Sequence, residues 1–468
     1  MKTHQYKIFL IGLLLTLALA VPGRAQTITA ADDGTTLKQI IIFGRHGIRS
    51  SVTLTSTLAQ VSADAYPAFD GVPPGYLTPH GREAAQLLGA YFHDYLRHEG
   101  LLTGSATTDL ARAYFRANSI QRSNMTATKF GEGLIPGIPI PVHSYSLLDT
   151  NTGYPVPDPI FDPVQTQVAT IDSNRAVADV QGIYGSGAAI ASASTGELVL
   201  VRSVLYPPGT QPTPGALQGS IDPTAQPITL VAYSPIMAAG GAINVGGLNA
   251  ITAATDPFVM QYADGFTNTD VAWGRLSLDT LSQQTRLNVL QINIAMRTPY
   301  VNRVQSSNAG SHVLRTMSQT IAGNHLPGAF GSGTPAVVVI ISSDYYVAGL
   351  AGLLNLHWTL PGYQPDFCSP GGALVFELRQ SNKTKAYLVR AFYTSQTFDQ
   401  LRNLTPLTLT EPPATMQLTI PGGSNSATDL DVKFVTFKKL LSNAIDQRSV
   451  QPFGKDHPPG VLDNVPLD

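Results

Sequence analysis

Cysteine is almost missing from this 468-residue chain: Cys368 stands alone, so no intramolecular disulfide can form and a thiolate-rich metal site is excluded. Charge is also scarce. Asp, Glu, Lys and Arg make up 13% of the residues and the formal net charge is −2. With no long basic run, the chain lacks the phosphate-tracking surface that nucleic-acid binding needs. No convincing internal repeat is present. Stability must come from packing, and a hydrophobic content of 43% is enough to fill cores in about two or three domain-sized units.

At the amino end, Lys2 and Lys7 come before an apolar stretch from Ile8 to Val21, and Gly23 and Ala25 follow it. This order reads as a secretory signal over residues 1–25, cleaved before Gln26, with an uncleaved anchor as the alternative. Removing it takes away Lys2, Lys7 and Arg24 and leaves a mildly acidic, soluble mature chain with no further membrane contact. The expected location is a bacterial periplasm or the medium. At this length a secreted chain does not depend on disulfides.

The run Ile40–Phe43 is wholly apolar and β-prone, as a central parallel strand covered on both faces would be. It opens directly into "GRHGIR", which sets His46 between Arg45 and Arg49. Arginine stays protonated, and its planar fork matches phosphate and carboxylate oxygens. This strand end is therefore built for an anion. Further on, "GREAAQLLGAYFHDYLRHEG" places Ala84, Leu87, Leu88, Tyr91, Tyr95 and Leu96 on one helical face and stops at Gly100. A short strand around Tyr114 and Phe115 then leads to a helix from about Ser123 to Leu134, with Arg122 at its amino end.

Between about Pro159 and Tyr300 the strand signal fades, and a Pro-rich stretch near 207–227 reads as an irregular loop. The α/β pattern returns at "PAVVVIISSDYYVAGLAGLL", with a buried strand over Val337–Ile341, Ser343 and Asp344 at its carboxyl end, and a helix from Val347 to Leu354. The division that follows is an α/β domain in two parts, 26–158 and 301–468, with a mostly helical insertion over 159–300. Ligands of open α/β sheets bind outside the carboxyl ends of the strands. Arg45, His46, Arg49, Arg122 and Asp344 are all placed there, so the sequence offers an anion pocket with a nucleophile and an acid. Other readings exist for some of these residues. Asp344 also suits a helix cap, Ser343 divides between a phosphate donor and a turn residue, and Tyr345 and Tyr346 between cleft and core. The remaining histidines show no metal-ligand spacing.

Four ordered blocks, "RHGIR", "YLTPHGREAAQLLGAYF", "SIQRSNMTATKFGEGL" and "WTLPGYQPDFCSPGGALVFEL", together resemble the histidine acid phosphatases, the branch of the histidine phosphatase superfamily that includes periplasmic phytases and glucose-1-phosphatases. The resemblance runs from Leu37 to about Leu441. It implies an α/β fold of the phosphoglycerate mutase-like type, an open and mostly parallel sheet flanked by helices, with an inserted, mostly helical domain. It also implies phosphomonoester hydrolysis with no cofactor: His46 attacks phosphorus, Arg45, Arg49 and Arg122 hold the oxygens, and Asp344 protonates the leaving group.

Two departures from the family pattern stand out. The family's His-Asp pair is Ser343-Asp344 here, so a charge-assisted donor is replaced by a short hydroxyl, a loss of roughly 1.5–3 kcal/mol. The Thr-Lys pair of phytase-like members is Val52-Thr53 here. Asp256, in "TDPFVMQYADG", aligns with a family carboxylate near the pocket. The expected partner is a small phosphomonoester. The rival readings are a catalytically impaired pseudophosphatase that binds a phosphorylated ligand, and a phosphotransferase.

Overall fold

A computed structural model of the chain describes residues 33–145, 157–232, 243–426, 428–452 and 462–463. The expected signal segment lies outside them. The strands are β1 (Thr35–Arg45), β2 (Ala113–Ala117), β3 (Val142–Ser144), β4 (Thr229–Ala232), β5 (Ile243–Gly246), β6 (Val337–Ser342), β7 (Ala373–Ser381), β8 (Tyr387–Ser395), β9 (Ala414–Gln417), β10 (Val432–Lys433) and β11 (Leu462–Asp463). The helices that matter for the site are α1 (Thr55–Gln60), α2 (Pro79–His98), α3 (Ala106–Leu110), α4 (Gln121–Leu134), α5 (Ser173–Tyr184), α6 (Gly187–Ala193), α7 (Thr195–Leu205), α8 (Leu248–Ala263), α9 (Leu278–Ile292), α10 (Pro299–Ala322) and α11 (Asp344–Leu353).

All of these strands except β4 and β5 form one nine-stranded sheet, in the order β10, β8, β7, β1, β6, β2, β3, β11, with β9 paired to β8. The contacts β1–β6, β6–β2 and β2–β3 are parallel, and β7 joins β1 antiparallel. The apolar run foreseen in β1 is buried throughout, from Ile40 to Phe43. Its side chains alternate between two cores: Ile41 and Phe43 face one, Ile40 and Ile42 the other.

On the second of these faces α2 packs against α4, burying Leu88, Tyr91, Phe92, Tyr95, Phe130 and Leu134 together. Leu87, expected on the same face, is only half-buried. The close approach of α4 turns a slightly different stripe of α2 inward, one that includes Phe92. Glycine permits that approach, because a methyl group at Gly89 would overlap the Phe130 carbonyl and one at Gly133 the Gln86 carbonyl.

On the other face α10 and α11 cover the sheet, and the apolar residues of α5, α7, α8 and α9 join the same core. The 159–300 stretch is mostly helical, as its composition implies. It also contains the antiparallel pair β4–β5, which its weak strand signal did not reveal. The helix after β6 starts at Asp344, three residues earlier than the apolar pattern indicates, because its first turn is polar and faces the site.

Candidate active site

Three adjacent parallel strands, β1, β6 and β2, end at the same level, with Arg45 in register with Ser342 and Ala117 with Ile341. The His46 backbone N–H continues the ladder to the Ser342 carbonyl (2.8 Å), and Gly371 N–H fixes the His46 carbonyl (3.0 Å). The histidine is thus held rigidly at the strand end. Its ring is 2% exposed at the residue level, and Nδ1 lies 2.9 Å from the Gly47 carbonyl oxygen. A carbonyl only accepts, so Nδ1 carries the proton and the lone pair is on Nε2. Burial first, then the charges of Arg122, Arg45 and Arg49, hold the imidazole well below the usual histidine range. Setting a histidine among arginines therefore favours its neutral form, with the lone pair on Nε2.

Gly47 N–H donates to Thr126 Oγ1 (2.9 Å), and that hydroxyl donates to the Arg122 carbonyl (2.7 Å). This threonine ties the signature loop to the first turns of α4. Arg122 sits at the second position of α4, where its Nη1 donates to the Gly75 carbonyl (3.3 Å). Arg45 donates to the Cys368 carbonyl (2.7 Å) and lies 3.2 Å from Asp344 Oδ2 and 3.7 Å from Asp256 Oδ1. Arg49 pairs with Asp256 Oδ2 at 2.9 Å. Among the described residues Arg122 has no ion pair. Burial and the neighbouring Arg49 push its guanidinium down to about 9, against the pull of Asp344 and Asp256. The Nε atoms of Arg45, Arg49 and Arg122 are all buried without a hydrogen-bond partner. Two carboxylates facing three crowded guanidiniums leave a cationic floor that an anion would complete.

Asp344 opens α11, and its Oδ1 accepts the Tyr345 N–H (3.1 Å) while its other oxygen meets Arg45. Ser343 occupies the N-cap position of α11, but its side chain makes no capping bond. The structure thus brings Arg45, His46, Arg49, Arg122, Asp256, Ser343 and Asp344 to one end of the sheet. Asp256 arrives on α8, from inside the inserted stretch.

Several neighbours carried no sequence signal. A cavity next to Arg45 and Asp256 is lined by Thr252, Thr255, Gln284, Asn288 and Phe367. At the start of α11, Tyr345 points toward α8 and α9, where Gln291 Nε2 donates to its hydroxyl (2.5 Å) and to Asn249 Oδ1 (2.6 Å). Tyr346 turns to the core, where its hydroxyl donates to Asp162 (2.6 Å). Val52 is 48% exposed. Neutral polar residues scattered over α8 and α9 have no motif, and only the packing shows that they share a pocket. Thr126 is equally silent in the sequence, since a threonine inside a helix is usually unremarked.

The family description "Histidine phosphatase superfamily (branch 2)" matches residues 36–179. Phytase AppA of Escherichia coli is 30% identical over 417 residues, covering 87% of this chain and 91% of that protein. The glucose-1-phosphatase of Providencia rettgeri is 26% identical over 453 residues, covering 95% and 100%. Among solved structures, the Hafnia alvei phytase in complex with tartrate superposes with a TM-score of 0.78 at 27% identity, over 90% of this chain and 100% of that one. The similarity thus runs over nearly the whole length, and this chain belongs to the histidine acid phosphatases, branch 2 of the histidine phosphatase superfamily.

Proposed function

We propose that the protein is an exported acid phosphatase that hydrolyses small phosphomonoesters through a phosphohistidine on His46. The observation that carries this reading is the neutral His46, its proton held on Nδ1 by the Gly47 carbonyl, amid three guanidiniums. In this mechanism the phosphate oxygens sit on Arg45, Arg49 and Arg122, and the Nε2 lone pair forms a bond to phosphorus as the P–O bond to the leaving group breaks. Protonated Asp344 gives its proton to the departing oxygen. Water then attacks phosphorus, the P–N bond breaks, and Asp344 takes a proton from that water. The guanidiniums supply the charge stabilisation, so no metal is invoked. Export rests on the leader-like residues 1–25, which makes the site of action periplasmic or extracellular.

Residues 159–300 are proposed to be the insertion that covers the cleft, with α8 and α9 meeting the leaving group. Their lining is uncharged apart from Asp256, and Val52-Thr53 adds no cation. Such a surface suits a neutral, hydroxyl-bearing leaving group better than a polyphosphorylated one.

The test is rapid-quench labelling with a ³²P-phosphomonoester, stopped in alkali because phosphohistidine is acid-labile. Label should appear on the wild type, map to His46 and be absent from His46→Ala. Turnover without a trapped phosphoenzyme, or turnover by His46→Ala near the wild-type rate, overturns the mechanism. The Ser343 substitution favours one second reading, a pseudophosphatase. Phosphate binding by calorimetry with no hydrolysis of any alkyl or aryl ester would establish it.

A further inference from the structure

The floor of the site contains an orphan that the mechanism above does not use. Asn118 follows β2, and its backbone N–H donates to the Ile341 carbonyl (3.1 Å), carrying the parallel ladder one residue past Ala117. In a parallel ladder, residues in register project to the same face. Arg116 and Phe43 are both in register with Ile340, and Arg45 is in register with Ser342. Two residues beyond Phe43, Ile340 and Arg116, the next row on that face is Arg45, Ser342 and Asn118. Asn118 therefore lies across the row from Arg45, two strand spacings or about 10 Å away, with Ser343 just beyond the strand between them.

Asn118 is only 7% exposed, yet its Oδ1 is buried with no hydrogen-bond partner. Among the described residues its bonds run only through the backbone: N–H to Ile341, and the carbonyl accepting from Ile120 N–H (2.9 Å) and Asn124 Nδ2 (2.8 Å). Those bonds fix the main chain and leave the carboxamide free. With neither end engaged, the amide can turn its nitrogen toward an anion without breaking a bond. A buried polar side chain with no partner calls for an explanation. Of the other orphans around the site, Nε of Arg45, Arg49 and Arg122 and Nε2 of Gln121 are donors, and the one acceptor, Asp256 Oδ2, already faces Arg49 at 2.9 Å.

We propose that Asn118 is a phosphate-binding residue of this enzyme, its side-chain nitrogen donating to a phosphate oxygen from the β2 side and standing in for the donor that Ser343, with its short hydroxyl, does not extend. The inference rests on the phosphatase reading and deepens it. It makes the fourth donor of the site a neutral amide on a neighbouring strand.

The experiment measures inorganic phosphate affinity by calorimetry and kcat on an aryl phosphate for wild type, Asn118→Ala, Asn118→Asp, Ser343→His and the double variant Ser343→His/Asn118→Ala. Asn118→Ala should weaken phosphate about tenfold, the value of one lost hydrogen bond to a charged group. Asn118→Asp, which faces the anion with a carboxylate, should weaken it further and increasingly as the pH rises. In the Ser343→His background, Asn118→Ala should cost less than about threefold, because the histidine restores the missing donor. A purely structural role would lower the melting temperature without that suppression.

Equal phosphate affinity in wild type and Asn118→Ala overturns the proposal while leaving the phosphatase reading intact. A wild type that neither binds phosphate nor turns over substrate removes the phosphatase reading, and the proposal with it. Should Ser343→His fail to fold, the order wild type, then Ala, then Asp decides alone: an aspartate variant that binds phosphate as tightly as the alanine one refutes a direct contact.

Discussion

Arg122 is held in a charge state that burial and the neighbouring Arg49 disfavour, so removing its charge should stabilise the fold while it disables the site. Its guanidinium is pushed from the usual arginine range down to about 9 by burial and by Arg49. That gap corresponds to at most about 5 kcal/mol, and because the side chain keeps some contact with solvent, roughly 2 kcal/mol is a safer figure.

The sign follows from linkage. A base whose folded pKa is lowered is charged in both states below pH 9, so the folded protein bears the full penalty at pH 5–7 and is relieved only as the pH rises through about 9. Arg122→Met keeps the apolar stem and loses the 3.3 Å bond to the Gly75 carbonyl, a cost of about 1 kcal/mol. The net expectation is a gain of about 1 kcal/mol in phosphate-free buffer, or about 1 °C for a chain of this size. Inorganic phosphate at a hundred times its dissociation constant should then stabilise the wild type by about 2.7 kcal/mol and the methionine variant far less, inverting the order. Scanning calorimetry at pH 6, with and without phosphate, reads both effects. A variant that melts below wild type without phosphate, or an order that phosphate leaves unchanged, refutes the idea that the arginine floor is frustrated until an anion fills it.

Three further outcomes are expected. Asp344→Asn should slow alkyl phosphates by about a hundredfold and activated aryl phosphates by much less, since only the poor leaving group needs the proton; equal losses on both esters would remove the general-acid role. Burial holds the Asp162 carboxyl up at about 7. A raised carboxyl contributes fully below about pH 4 and loses that contribution as the pH climbs toward 7. Asp162→Asn, which can still accept from Tyr346, should therefore match wild type in urea denaturation at pH 4 and exceed it by about 2–4 kcal/mol at pH 8, and equal stability at both pH values would show the carboxyl to be unperturbed. Finally, kcat/KM for inositol hexakisphosphate should not exceed that for a sugar monophosphate by more than about tenfold, one modest binding difference; a thousandfold preference would require cations beyond the three arginines, which the α8 and α9 lining does not supply.

The sequence by itself determined the strand that leads into Arg45 and His46, the apolar β6, and the helix that carries Arg122 at its amino end. Each of these is a local pattern, an unbroken apolar run or a 3.6-residue stripe, that needs no distant partner to be recognised. The family resemblance implied a common neighbourhood for Asp344 and Asp256. Only the tertiary structure decided which atoms meet. The proton on His46 Nδ1 follows from a carbonyl 2.9 Å away, and the burden on Arg122 from the three-strand convergence that crowds it against Arg49. The polar lining on α8 and α9 follows from how those two helices pack together, with Asp256 reaching Arg45. Asn118 shows the limit most clearly: an asparagine after a short strand looks like a turn residue until the register of β1, β6 and β2 sets it in one row with Arg45, its side-chain oxygen buried without a hydrogen-bond partner. Periodicity is written along the chain, but the pairing of buried donors with acceptors is a property of distances between segments, and those exist only once the chain has folded.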